Sequence, residues 1–396
     1  MIELTPTEEQ RVLRETARDF AVRELAPAVE RIYAEHGHAL EPWPLLRDAY
    51  TKGCELGFLT LLVPEPDGGS GGSCVDAAIL FEELGAIDVA VAASYFSLSA
   101  TLAQLIARAG TPEQKQRWLE PVCAGKPVLY SGALSEPDRA GSDLFFPAPD
   151  PSVGIQTVAR EGVGGYVISG TKSAFVTNAG IADAYFVMAR TGFDAPPAGA
   201  MTMFYVPGDA AGLSFGPRTR LSGWRTSHHA ELVLDEVRVP LGELIGNVGE
   251  AGLVFASSPE ISIGLAACFV GLARAAHEYA AAYAEERISW GVPIARHQAV
   301  ALKLAEMALD VQAARLMVWD AAAAADRDPM LAATWKAPAA KVFAVDAAIR
   351  NAQRAVEILG GYGVASEYRA ARFLNDAWVG WSCDFTRDML LFSMVG

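Results

Sequence analysis

The chain has little with which to cross-link itself or hold a metal. Its five cysteines (Cys54, Cys74, Cys123, Cys268 and Cys383) are scattered, odd in number, and form no C-x-x-C pair. That argues against a disulfide framework and a zinc site, and for a reducing compartment, so a cytoplasmic protein without a metal is expected. Positive charge is also short. Lys and Arg number 32 against 47 Asp and Glu, and no basic block occurs, so no nucleic-acid partner is expected. The longest apolar run, "ISIGLAACFVGLA" (Ile261 to Ala273), is too short to span a bilayer and reads as a buried helix, so no membrane partner is expected either. The opening "MIELTPTEEQ" is acidic and polar, unlike a signal peptide. No glycine fingerprint for a dinucleotide appears between a strand and a helix, so a bound cofactor needs another way to hold its phosphates.

Hydrophobic residues make up 52% of the 396, which fits a globular protein with two or three domains. The first third reads as helical. Thr5, followed by Pro6 and by Glu8, predicts a capping-box start, with Leu13, Ala17, Phe20 and Ala21 at helical spacing. "PEPDGGSGGS" (Pro64 to Ser73) reads as a turn before a second helix, "VDAAILFEELGAID". The middle third is a series of short β-rich segments, among them "VLYSGALSE", "YVISGTKSAFVT" and "HAELVLDEVRVP". The last third returns to long helices, one of them with Leu304, Met307, Ala308 and Val311 on a single face. Helices, then strands, then helices predict an α+β fold with segregated layers. The expected divisions are 1–123, 124–240 and 241–396.

Near the end, "WVGWSCDFTRDML" (Trp378 to Leu390) sets Asp384 among aromatic residues. A charge in apolar company is costly unless paired. Asp384 is therefore either a structural acid satisfied by an Arg, a surface turn, or a catalytic base.

Several stretches together resemble the acyl-CoA dehydrogenase family. "GALSEPDRAGSD" (Gly132 to Asp143) is similar to its A-L-T-E-P-x-A-G-S-D signature, with one residue inserted. "GTKSAFVTNAG" is similar to G-x-K-x-W-I-T-N-G, "ERISWGVPIARHQ" to E-R-x-x-F-G-x-P-I-x-x-x-Q, and "ILGGYGVASEY" to I-x-G-G-x-G-Y-x-x-E-Y. "LSGWRTSHHAELVLDEVRVP" resembles the strand that closes the family's β-domain. The five stretches run in family order across essentially the whole chain. The resemblance implies an N-terminal helical domain, a middle β-barrel-like domain and a C-terminal four-helix bundle. It also implies FAD held without a covalent bond between the last two, partly by a neighbouring subunit, so a homo-oligomer, dimer or tetramer, is expected.

Residue by residue, the resemblance places Leu134, Ser135, Gly141, Ser142, Phe175, Thr177, Arg287, Trp290, Gln298, Gly360, Gly361 and Thr386 at the cofactor. Leu134 and Ser135 meet the flavin's pyrimidine end. Phe175 replaces the usual Trp against the flavin ring, and Thr177 reaches a ring nitrogen. Arg287 pairs with a pyrophosphate, a charge-assisted contact in place of a glycine-rich loop. Trp290 replaces a Phe near the adenine. Glu357 stands where the family usually has Gln, and an acid is unfavourable beside phosphates.

The family's last motif is R-D-A-R-x-x-x-I-Y-E-G-T, whose Glu is the usual base. Ungapped counting from Asp376 and Ala377 puts Asp384 on that Glu and Thr386 on the Thr. Glu260 is the second candidate, beside the position on the bundle's first helix where some members carry the base; otherwise it is an acid in a first turn. Asp is one methylene shorter than Glu, and Phe385 replaces the Gly. With Trp378 and Trp381, Phe385 is expected to line the substrate pocket and exclude water. The implied reaction is desaturation of an acyl thioester of CoA or a carrier protein, with electrons passing to a flavoprotein acceptor. The expected product is an α,β double bond on a short, branched or cyclic acyl group. The alternatives are γ,δ-dehydrogenation of an α,β-unsaturated thioester, a flavin oxidase similar to nitroalkane oxidase, and a binding protein that kept the fold without catalysis.

Overall fold

A computed structural model describes residues 5–35, 40–139, 150 and 152–395. Helix α1 (Glu8–Phe20) begins later than Thr5 predicts. The capping box is formed by Thr7 and Gln10: Thr7 Oγ1 accepts from the Gln10 N–H at 3.2 Å, and Gln10 Oε1 from the Thr7 N–H at 3.1 Å. Both pairs fit the box by spacing, but with Thr7 as cap, Pro6 stands outside the helix and Glu8 is freed to pair with Arg11 at 2.6 Å.

Helices α2 (Trp43–Glu55), α3 (Cys74–Ile87) and α4 (Val89–Ala109) follow. The glycine-rich segment before α3 is a turn, with Gly68 and Gly71 at φ 91° and 63°. Conformations of that hand are open to glycine at little steric cost. Helix α3 is buried over most of its length, Glu82 and Glu83 included. Glu82 lies 2.7 Å from Arg315, and Glu83 lies 2.8 Å from Arg274. Buried acids require such partners.

The middle domain is one mixed sheet among the described residues: β1 (Tyr130–Ala133), β2 (Val158–Gly162), β3 (Gly165–Thr177), β4 (Ala184–Arg190), β5 (Met201–Pro207), β6 (Leu213–Phe215), β7 (His229–Pro240) and β8 (Leu244–Ile245). The order is β6-β7-β3-β2-β4-β5-β8, with β1 parallel to β4. Strand β8 lies past residue 240 and pairs with β5. The long β3–β7 pairing breaks register between Lys172 and Val176, and it ends with Thr177 opposite His229.

The last part is a bundle of α5 (Glu260–Glu286), α6 (Gln298–Ala325), α7 (Ala337–Leu359) and α8 (Ala370–Val379), with a short α9 (Arg387–Ser393). The apolar run from Ile261 opens a helix of 27 residues. By length and composition α5 and α4 are each long enough to cross a membrane, but 78% and 83% of their apolar windows are buried inside the protein. Two glycines bring α3 and α5 together backbone to backbone: a Cβ on Gly85 would sit 2.3 Å from the Cys268 carbonyl oxygen, and one on Gly271 would sit 2.2 Å from that of Glu82. On α6, Met307 and Val311 are buried and Leu304 packs against the core. Ala308 is exposed; the buried stripe continues through Ala314 and Val318 instead.

Candidate active site

The residues expected from the sequence to meet cofactor and substrate fall into three groups. The first lies at one edge of the sheet. Leu134 and Ser135 leave β1 toward β3, fixed by Lys172, whose Nζ donates to the Leu134 carbonyl at 3.0 Å and pairs with Glu136 at 3.2 Å. Burial pulls the Lys172 ammonium down to about 8 against the opposing attraction of Glu136. Ser135 Oγ lies 2.9 Å from Ser173 Oγ. At the end of β3, Phe175 is 62% exposed, a bare aromatic face. Gly141 and Ser142 lie outside the described residues.

Thr177 belongs to a short buried chain of hydrogen bonds that fixes the direction of its hydroxyl. Ser227 Oγ donates its one proton to the Trp224 carbonyl at 2.8 Å, so it accepts from His229 Nδ1 at 3.1 Å. His229 Nε2 is then an acceptor, and the Thr177 hydroxyl donates to it at 3.2 Å. The lone pairs of Thr177 Oγ1 remain for something outside the strand. His229 is held neutral: burial pulls its pKa down to about 4, helped by His228 and Arg218. The next residue, Asn178, has φ 61° and donates through Nδ2 to the Ser94 carbonyl at 2.7 Å. Ser94 lies in a π-helical turn of α4, Ala92–Ser97, a helix irregularity frequent at functional sites.

The second group lies at one end of the bundle. Arg287 is exposed and sits 5.9 Å over the Tyr362 ring, beside Gly360 and Gly361. Gly360 has φ 60°, and a Cβ on either glycine would meet nothing within 4 Å. Trp290, 94% exposed, and Gln298, also exposed, belong to the same end. Glu357 pairs with Lys303. An open glycine turn, a cation with no carboxylate partner among the described residues and bare aromatic faces fit the phosphates and rings of FAD.

The third group is the segment after α8. Trp378 and Trp381 meet edge to face at 5.1 Å, and each is 43% exposed in one chain. The Trp381 indole donates toward Asp346, away from Asp384. Thr386 caps α9, its Oγ1 accepting from the Met389 N–H at 3.3 Å. Asp384 and Phe385 both have left-handed backbones, at φ 42° and 71°. Asp384 makes no ion pair or side-chain hydrogen bond among the described residues. Arg387, the nearby arginine that would have satisfied it as a structural acid, is held by Asp346 at 2.9 Å. Asp384 keeps solvent access, but the protein packed around it displaces enough water to raise its pKa, with Lys341 pulling the other way. Burial costs a carboxylate more when charged, which makes it a better proton acceptor.

The first and third groups are joined. The Trp224 N–H donates to Asp376 Oδ1 at 2.6 Å, and its indole to the Asp376 carbonyl at 3.1 Å. The Trp224 ring lies 6.3 Å from His229 and 6.4 Å from Phe269. Phe269 fills the space where a Cβ on Gly380 would fall. Glu260, by contrast, is fixed to Arg108 at 2.7 Å at the start of α5, as an ion-paired first-turn acid. Lys341, Trp224, His229 and Asp346 were not legible as site residues in the sequence. Only the motif positions of Asp376 and Thr177 pointed toward their partners.

Family models for the acyl-CoA dehydrogenase N-terminal, middle and C-terminal domains match residues 7–126, 131–237 and 262–380. The short-chain specific acyl-CoA dehydrogenase of Bos taurus mitochondria is 35% identical over 376 residues, covering 93% of this chain and 85% of the relative. Butyryl-CoA dehydrogenase from Megasphaera elsdenii superposes with a TM-score of 0.88 at 30% identity, over 99% of this chain and 98% of the other. A structure described as the electron transferring flavoprotein of Acidaminococcus fermentans gives the same values. The chain belongs to the acyl-CoA dehydrogenase family and is an FAD-dependent oxidoreductase acting on CH–CH bonds.

Proposed function

We propose that the chain forms an α,β double bond in a short, branched or cyclic acyl thioester, with Asp384 as the base. The observation that carries this reading is the unpaired Asp384 carboxylate, presented to solvent on a left-handed turn at the motif position of the family's base. FAD, when bound, supplies the hydride acceptor. The protein's own residues do the rest. Asp384 takes the acidic C–H proton. Phe385, the next residue of the turn, adds bulk beside it, and the Trp224–Asp376 contact ties α8 to the loop before β7. Arg287 and the open turn at Gly360 and Gly361 would hold the phosphates.

The bovine and Megasphaera proteins carry short-chain and butyryl names, which favours a short acyl-CoA over a carrier-protein thioester. The electron acceptor is a second flavoprotein, in line with the similar Acidaminococcus structure described as an electron transferring flavoprotein. Exposure of Arg287, Trp290 and Gln298 in one chain supports a homo-oligomer in which a neighbour's FAD covers them. The five free cysteines support a cytoplasmic location. Phe385 beside the base favours one second reading, γ,δ-dehydrogenation of a 2-enoyl thioester, because bulk there keeps the α-carbon at a distance.

The test is stopped-flow flavin bleaching with butyryl-CoA, isobutyryl-CoA, crotonyl-CoA and butyryl-carrier protein. Asp384→Asn should keep FAD and bleach at least ~10²-fold more slowly, the low end of what a positioned base contributes. Near-normal bleaching by Asp384→Asn, together with an inactive Glu260→Gln, would move the base to α5. Bleaching by crotonyl-CoA alone would move the double bond to γ,δ. Turnover with O₂ and no other acceptor would make the protein an oxidase.

A further inference from the structure

A buried lysine packs beneath the turn that carries Asp384. Lys341 lies in the first turns of α7 and is 1% exposed. Burying an ammonium is costly, and among the described residues no carboxylate lies within ion-pairing distance of this one. Its partners are two backbone carbonyls. Nζ donates to the Gly380 oxygen at 2.9 Å and to the Phe385 oxygen at 3.0 Å. These oxygens stand on either side of Asp384, at the two ends of one turn.

That turn needs holding. Asp384 and Phe385 have successive left-handed backbones, a conformation that is costly for residues other than glycine and persists only when the surroundings enforce it. Two side chains of α7 do so. Lys341 takes the carbonyls inside the turn, and Asp346 holds Arg387 and the Trp381 indole outside it.

We propose that Lys341 is a positioning residue for the base: its buried ammonium ties both ends of the 380–385 turn and places a positive charge beneath the segment that carries Asp384. The inference rests on Asp384 being the base. The other titratable groups around Asp384 support this assignment. Cys268 on α5 and Cys383 in the turn have thiols that burial pushes up, Cys383 to about 12, so both are neutral. Asp346 and Arg387 neutralise each other, and Asp388 is exposed on α9. Lys341 is left as the charge that opposes the rise in the Asp384 pKa. Burial pulls the Lys341 ammonium down, while the charges of Asp384 and Asp346 pull it back up.

The test is the pH dependence of flavin bleaching in holoenzymes carrying Lys341→Met, Lys341→Gln and Lys341→Arg. Loss of the cation should move the acid limb of the profile to higher pH by about one unit, the low end of what a nearby opposite charge does. Met removes donor and charge, and should show both this shift and a fall in maximal rate. Gln keeps an N–H donor without charge, and should show the shift with less loss of rate. Arg keeps the charge, and its limb should stay in place. If the Met variant fails to fold, Gln against Arg makes the same comparison. Slower bleaching with an unmoved acid limb in both Met and Gln would make Lys341 merely structural and overturn the proposal. An Asp384→Asn variant that bleaches normally would instead sink the base assignment on which it rests.

Discussion

Lengthening the base by one methylene tests whether aspartate is required at position 384. Asp384→Glu carries the same charge in the same turn. Two structural effects oppose it. The carboxylate moves outward by about 1.5 Å, the length of one C–C bond, on a turn whose next residue is the bulky Phe385. A displacement near 1 Å can cost ~10²-fold in rate. The backbone at φ 42° is also better tolerated by Asp and Asn than by longer side chains. Glu should therefore lose some stability, at most about 1 kcal/mol, below the ~1–2 kcal/mol that a left-handed residue costs in general. The assay is single-turnover bleaching at saturating butyryl-CoA, with thermal unfolding of the holoenzyme beside it. The expected result is a rate about 10–10²-fold below wild type and a small drop in Tm. A Glu variant as fast as wild type, with the same Tm, would refute the argument and make Asp384 a freely exchangeable acid.

Arg287→Ala should weaken FAD by about 1.5–3 kcal/mol, the range for a hydrogen bond to a charged group; unchanged FAD affinity by titration counts against the phosphate contact. If Arg287 serves a neighbour's FAD, oligomers mixed from Arg287→Ala and Asp384→Asn chains contain some sites with both residues intact, and should recover up to about half of wild-type activity, since each hybrid pair rebuilds one site of two. No recovery in verified hybrids would place Arg287 at its own chain's cofactor. His229 predicts a stability change with pH. Its folded pKa of about 4 lies below the ordinary ~6.5, so the unfolded chain binds the extra proton between those values, and stability falls as pH drops through that window. The shift is worth at most about 3 kcal/mol. Urea unfolding of wild type and His229→Asn at pH 7 and 5 checks it, and equal pH slopes in the two proteins would disprove it.

The architecture was legible because it is written in local patterns. Helical spacing in the outer thirds and short β segments in the middle fix the layers without knowledge of contacts. The misses are also local: two overlapping capping boxes compete at Thr5 and Thr7, and the choice falls to the one that leaves Pro6 outside and Glu8 free for Arg11. Ala308 fits the stripe by spacing but is exposed, since spacing does not say where neighbouring helices end their coverage. The site was legible only where a motif marked a single position. Its supports are pairwise and distant. Trp224 meets Asp376 across 152 positions, and Lys341 reaches the turn across 39 and 44.

Asp384 shows why composition near a site misleads. Its aromatic neighbours suggested a dry pocket made by Trp378 and Trp381. In one chain both are 43% exposed, and the Trp381 indole is turned toward Asp346. The protein packed around the turn pushes the Asp384 pKa up instead, and a lysine elsewhere in the sequence pulls it down. The left-handed backbone that presents it falls on Asp and Phe, where glycine would be expected. A turn of that hand built without glycine is maintained by contacts from outside it, and the Lys341 bonds to both its ends are the contacts of that kind. The position of Asp384 is therefore a property of α7 as much as of the segment that contains it, and no reading of that segment alone could have placed it.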